Sequence, residues 1–218
     1  MKKLTSFLLV LTLCFSPMQL MAMSLSPTVP GAVYSDQTAT GVNKPVVQIQ
    51  QELQQAGIQD VRPTDWYAGS ITVLVQSGLL APTSSGQIQP DANLSFNEGV
   101  AVFAKVLGIA SKSDTPEQAT QKAVEAGLVQ STPSVNRDMN RLEVARLLAT
   151  ALGIQPKQVT PASFPFTDFA GLSQEDMGLL AALYEVGIFK GYEDKTFRPG
   201  SILTRAQIAI LVDRILGA

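Results

Sequence analysis

The sequence predicts an all-α protein built from three helix-loop-helix repeats. Two observations predict it. A capping-box pattern is written three times, at Ser95-Phe96-Asn97-Glu98, Asn140-Arg141-Leu142-Glu143 and Thr204-Arg205-Ala206-Gln207. Each box is followed at the same distance, 13 residues from its first position, by a glycine: Gly108, Gly153 and Gly217. A Ser, Asn or Thr side chain at a helix start accepts a backbone N–H, and a Glu or Gln three residues on reaches back to the cap's own N–H.

Between cap and glycine the apolar residues recur at helical spacing. They are Gly99, Val102, Phe103 and Val106 in the first copy. Val144, Leu147, Leu148 and Ala151 follow in the second, and Ile208, Leu211, Val212 and Ile215 in the third. The spacing predicts helices near 96–107, 141–152 and 205–216, each closed by a left-handed glycine. A second helix precedes each of these. The first begins near Trp66 and ends at Gly78. The second opens on Thr115-Pro116, a cap followed by proline at the first helical position, and ends at Gly127. The third opens at Ser173 and ends at Gly187. One helix pair cannot bury its apolar faces alone, so the three should pack together.

Outside the repeats the chain divides as follows. Lys2 and Lys3, the apolar stretch Leu4 to Phe15 and the small residue Ala22 give residues 1–22 the form of a secretory signal. Cys14 raises lipidation, against which stands Leu13 where such signals carry a small residue; retention as a membrane anchor is the other alternative. Residues 23–44, rich in Ser, Thr, Pro and Gly, read as a flexible leader. A short helix is expected within 45–57 from Val46, Ile49 and Leu53. The repeats then occupy 58–110, 111–153 (degenerate) and 154–218.

Composition removes whole function classes. The chain has 218 residues, no histidine and one cysteine, and a formal net charge of -2. No histidine-based triad or general base is possible, nor a Cys/His zinc site or an intrachain disulfide. No concentrated basic tract exists to displace counterions from a nucleic acid. No metal or cofactor is expected, and no catalytic residues stand out. A carboxylate-pair glycosidase is the form an enzyme would take, and nothing beyond the repeats is long enough to hold one.

The third copy carries an ordered motif. Phe166-Thr167-Asp168 is followed by Gly187-Ile188. Then come Gly191-Tyr192-Glu193-Asp194-Lys195-Thr196-Phe197-Arg198-Pro199 and Thr204-Arg205-Ala206-Gln207. This resembles the S-layer homology repeat, whose pattern runs F-x-D, G-I, G-Y-x-D-G-T-F-R-P and T-R-A-E. The first copy keeps Ile58-Gln59-Asp60, Trp66 and Pro90; the second keeps the helix pair and its capping box. The resemblance implies a pseudo-threefold bundle with grooves between repeats, outside the cytoplasm, at the cell wall, cell surface or periplasm. It implies non-covalent binding of a cell-wall polysaccharide or peptidoglycan-linked glycan, in many cases one carrying pyruvate ketals.

Six residues are the candidates for contact with such a glycan. Arg141 and Arg205 sit just inside helix starts, where unsatisfied N–H groups and a guanidinium together suit a carboxylate. The competing reading pairs each with an Asp or Glu of a neighbouring repeat. Phe96 stands in their place in the first copy. Trp66 offers a face for sugar stacking, or an anchor at the edge of the core. Thr204 is a helix cap, as are Ser95 and Asn140. Gly191 and Asp194 mark the loop, with Asp194 expected to bond nearby backbone N–H groups. Lys195 stands where the pattern has glycine and tolerates a positive φ poorly. Asp60 and Asp168 are expected to be local turn or cap residues. An alternative role is that of an envelope adaptor, whose repeats dock another protein rather than sugar.

Overall fold

The computed structural model describes residues 44–133 and 136–216. The signal (1–22), all of the leader but Lys44, Cys14 and Gly217 therefore lie outside the described residues. Among the described residues seven helices follow in order: α1 (Val46–Gln55), α2 (Ala68–Gln76), α3 (Phe96–Val106), α4 (Pro116–Glu125), α5 (Arg141–Leu152), α6 (Gln174–Glu185) and α7 (Arg205–Leu216). The caps form as the sequence predicts. Glu98 N–H bonds Ser95 Oγ at 3.4 Å, Glu143 N–H bonds Asn140 Oδ1 at 3.0 Å and Gln207 N–H bonds Thr204 Oγ1 at 3.3 Å. Gly108 and Gly153 stand at φ 70° and 65°, the left-handed stop that a side chain would resist.

The repeats do not fold back on themselves. The second helix of each packs on the first helix of the next: α3 on α4, α5 on α6, and α7 back on α2. This closes the chain into a ring of three with a pseudo-threefold axis. Beside that axis lie three short extended segments, 93–95, 138–140 and 202–204, each bridged to the other two. Their backbones make a cycle. Leu94 N–H donates to Leu203 O (2.7 Å), Leu203 N–H to Met139 O (3.2 Å), and Met139 N–H to Leu94 O (2.8 Å). The three side chains are buried at 2% exposure or less, so the cycle lies in a dry core where its bonds have no water to compete with.

Asp60 and Asp168 act at long range rather than as local turn residues. Asp168 accepts from Phe197 N (2.7 Å) and Arg198 N (2.6 Å), and Asp60 from Ile88 N (2.8 Å) and Gln89 N (2.7 Å). Each carboxylate ties the start of its repeat to the loop before the second helix. The tie holds Gln89 and Arg198 at φ 56° and 58°, a conformation that side chains adopt only under constraint.

Helix α1 is an addition to the ring. It buries Ile49 and Leu53 and packs on α2. Lys44 Nζ links the two by donating to Glu52 (2.7 Å) and Thr72 (3.2 Å).

Candidate functional site

The first residue of each second helix plugs into the following repeat. Phe96 is buried, with the Arg137 guanidinium 5.4 Å from its ring centre. Arg141 is 1% exposed. Its Nε donates to Phe197 O at 2.8 Å, and its guanidinium lies 4.9 Å from the ring centres of Tyr192 and Phe197 and 5.3 Å from that of Phe189. Its Nη2 has no hydrogen-bond partner. None of these contacts is a carboxylate, so three ring faces and one carbonyl hold the charge. Arg205 reaches into the first repeat, with Nη1 3.7 Å from Glu98 and its side chain 13% exposed. Its Nε is buried without a partner.

The helix starts themselves are occupied. Arg205 and Ala206 N–H bond Ala92 and Pro90 carbonyls, and Arg141 and Leu142 N–H bond Ser201 and Pro199 carbonyls. Phe96 N–H bonds Arg137 O, and Asn97 N–H bonds Asn136 Oδ1. The third N–H goes to the cap. The expectation of free N–H groups at the Arg141 and Arg205 helix starts does not hold, because closing the ring consumes them. Thr204 is one of those caps, and its own N–H is met by Gln207 Oε1 at 3.0 Å.

Trp66 stands at 38% exposure, edge-on to Tyr67 with ring centres 5.2 Å apart. The indole is thus partly exposed while Tyr67 packs against it. The loop after α6 is rigid. Gly191 has φ 73°, and a Cβ there would lie 2.4 Å from the Phe166 ring and 2.9 Å from Thr196 O, so no side chain fits. Asp194 accepts from Thr196 Oγ1 (2.5 Å), Thr196 N (2.9 Å) and Arg198 Nη2 (3.0 Å). These bonds, that from the Thr196 hydroxyl first, hold its carboxyl at about 2. Lys195 takes φ 60° in this loop despite its side chain. Arg198 stacks on Tyr192 at 4.0 Å. Tyr192 therefore lies against two guanidinium groups, those of Arg198 and Arg141.

A cleft of about 690 Å³ opens between α5 and α6. Phe96, Met139 and Leu147 lend it an apolar surface, and Glu143, Arg146 and Glu175 a polar one. Across it Arg146 makes a two-pronged bond to Asp176, Nε to Oδ1 at 2.7 Å and Nη2 to Oδ2 at 2.8 Å. The Arg146 bonds hold the Asp176 carboxyl below its usual range, against the opposing effect of burial. Burial raises the Glu143 carboxyl, and Arg137, bonding it at 2.5 and 3.0 Å, outweighs that and lowers it. Neither Arg146 nor Asp176 stands out as a site residue in the sequence, and Glu175 is legible there only as the third copy's counterpart of Trp66. Ser173-x-x-Asp176 is legible as a cap, but its partner lies 30 residues back on another helix.

Two segments, 58–98 and 165–209, match the S-layer homology domain. Those two segments are S-layer homology matches. The matched segments are the first and third units of the ring; the middle unit supplies α4, α5 and its own capping box. Over 76 residues, 35% of this chain, the sequence is 33% identical to Cell surface glycoprotein 1 of Acetivibrio thermocellus. The chain spans 3% of the length of that relative. S-layer homology domains are non-catalytic modules of cell-surface proteins that bind cell-wall polymers. Among the described residues no helix is long and apolar enough to cross a membrane.

Proposed function

We propose that this S-layer homology protein binds a cell-wall polysaccharide or peptidoglycan-linked glycan without covalent attachment, outside the cytoplasm, and so anchors or organises the cell envelope. The observation that carries the reading is the closed ring of three repeats, with Trp66 left half-open at its surface. A partly exposed indole suits the apolar C–H face of a sugar ring. Of the two helix-start arginines, Arg205, with 13% of its side chain exposed, is the one left within reach of an acidic substituent such as a pyruvate ketal. Thr204, Gly191 and Asp194 act by shaping the surface, and Arg141 by filling the core of the third repeat.

Trp66 is the one tryptophan of the chain, so its fluorescence is a direct report. Titrating solubilised wall polysaccharide should shift the emission to shorter wavelength and protect it from an aqueous quencher. Unchanged emission and quenching at saturating polymer would overturn the reading at this residue.

A second reading, docking of another envelope protein, is favoured by the burial of Arg141 and the Glu98 contact of Arg205. Both withdraw cations that a glycan acid would need.

A further inference from the structure

We infer that the ring closes between copies as well as within one: the third repeat of one chain takes the place of its counterpart in a second copy, and the exchange yields a reciprocal dimer. The inference does not depend on what the ring binds. The chain itself spans two of the three seams, from α3 to α4 through 107–115 and from α5 to α6 through 153–173. The seam of α7 on α2 has no chain across it. It is specific all the same. Ser70 Oγ donates to Asp213 Oδ2 at 2.7 Å across 143 residues of sequence, and the two residues are 1% and 3% exposed. A satisfied polar pair in a dry interface fixes which faces meet. Arg205 and Ala206 N–H bond Ala92 and Pro90 carbonyls at 3.1 and 2.9 Å, and Leu94 N–H bonds Leu203 O at 2.7 Å. Ser70, Pro90, Ala92 and Leu94 all belong to the first repeat, and every copy presents them identically. The side chain that plugs this seam is loosely held. Arg205 has Nη1 3.7 Å from Glu98 and a buried Nε without a partner, where Arg141 has a 2.8 Å bond and three rings.

The hinge is two residues long. Ile154 N–H still caps α5 by bonding Ala149 O at 2.8 Å. From Lys157 onward the linker belongs to α6, through Lys157 N–H to Gly178 O (3.2 Å) and Gln174 Nε2 to Val159 O (2.6 Å). Gln155 and Pro156 lie between, both exposed. The proline keeps Gln155 out of the helical region, so a pivot there swings the third repeat away as a unit and breaks no helix. Exchange restores from the second copy every bond it breaks, the Arg146–Asp176 pair included, so its cost is that of association alone. Closure within one chain acts at an effective concentration on the order of millimolar, and exchange competes as the protein approaches it.

The test uses the chain from residue 23, which lacks Cys14, the one cysteine of the sequence. Refolded from urea at about 0.1 and about 1 mM, the unaltered chain should show a species of twice the chain mass by light scattering, its fraction rising about fivefold between the two. Asn93 and Thr204 are bridge partners on antiparallel segments of the first and third repeats. Such partners stand about 4.5–5.5 Å apart at Cα, a span that a disulfide fits. Asn93→Cys and Thr204→Cys chains refolded together should give, in the dimer, a disulfide that joins one of each. Both substitutions in one chain, oxidised while dilute, should lock the ring and abolish the dimer. A monomer at both concentrations would overturn the inference. So would a dimer that forms equally in the locked variant, or one whose disulfides join only like chains.

Discussion

Arg141 shows how a residue type with an obvious chemistry can be spent on structure. Its position at a helix start reads as an anion site, and so does that of Arg205. In the folded chain Arg141 sits among Phe189, Tyr192 and Phe197 with one carbonyl acceptor. A buried charge without a counter-ion costs much of what its contacts contribute, and an apolar group of similar length avoids that cost. Arg141→Met should therefore change stability by less than about 1.5 kcal/mol, as a volume-conserving replacement does. Arg141→Ala should lose about 2–5 kcal/mol, because it leaves a cavity under three rings. Urea midpoints separate the two outcomes. Asp168 has the opposite character, an unremarkable turn residue in sequence that grips two N–H groups 29 and 30 residues away. Asp168→Ala leaves both donors unmet and should cost about 2–4 kcal/mol in the same measurement. Asp194→Ala, at an exposed turn, should cost much less.

At the scale of elements, the second helix of each repeat was legible because it carries its own start and stop in the sequence. Expected helices near 96–107, 141–152 and 205–216 are observed at Phe96–Val106, Arg141–Leu152 and Arg205–Leu216. Capping boxes and left-handed glycines act within a few residues, so their signal is local. What sequence did not reveal is which helix pairs with which, and so which groups meet across a groove. Gly178 is such a case. It lies inside α6, where glycine ordinarily weakens a helix. A Cβ there would stand 2.4 Å from Lys157 O, 2.9 Å from Lys157 N and 3.0 Å from Pro156 Cβ. The linker between the second and third repeats crosses α6 at this point, and Gln174 fastens it by bonding Val159 O at 2.6 Å. Gly178→Ala, despite its better helix propensity, should lower stability by about 1–3 kcal/mol, the cost of overpacking, with a lowered melting temperature as the readout. The junction of α1 with α2 should respond to acid. Burial pushes the Glu52 carboxyl up, but bonds led by that from Lys44 outweigh it and hold the group at about 2. A folded value below the unfolded one gives stability that is complete above the ordinary carboxylate range, near 4.5, and fades as pH falls toward about 2. Urea midpoints followed downward from neutral pH should fall in that window, and Lys44→Ala should flatten the fall.

The whole molecule is a ring that no single repeat can form. Leu94, Met139 and Leu203 exchange backbone bonds in a cycle, and α7 returns to α2 to close it. Closure explains why the starts of α3, α5 and α7 offer no free N–H groups to a ligand: the first two of each are answered by the neighbouring repeat and the third by the helix's own cap. It also leaves the α5–α6 cleft at the seam between the second and third repeats. The resemblance read from the third copy foresaw the bundle, while the roles of its arginines depended on packing partners more than 50 residues away. The central claim is that this ring holds a wall polymer, and co-sedimentation with purified cell-wall sacculi tests it most directly. The chain should pellet with intact sacculi, stay in solution once the attached polysaccharide is stripped, and pellet poorly as Trp66→Ala at unchanged helicity. Failure to pellet with any sacculi, or equal pelleting with stripped ones, would contradict the claim.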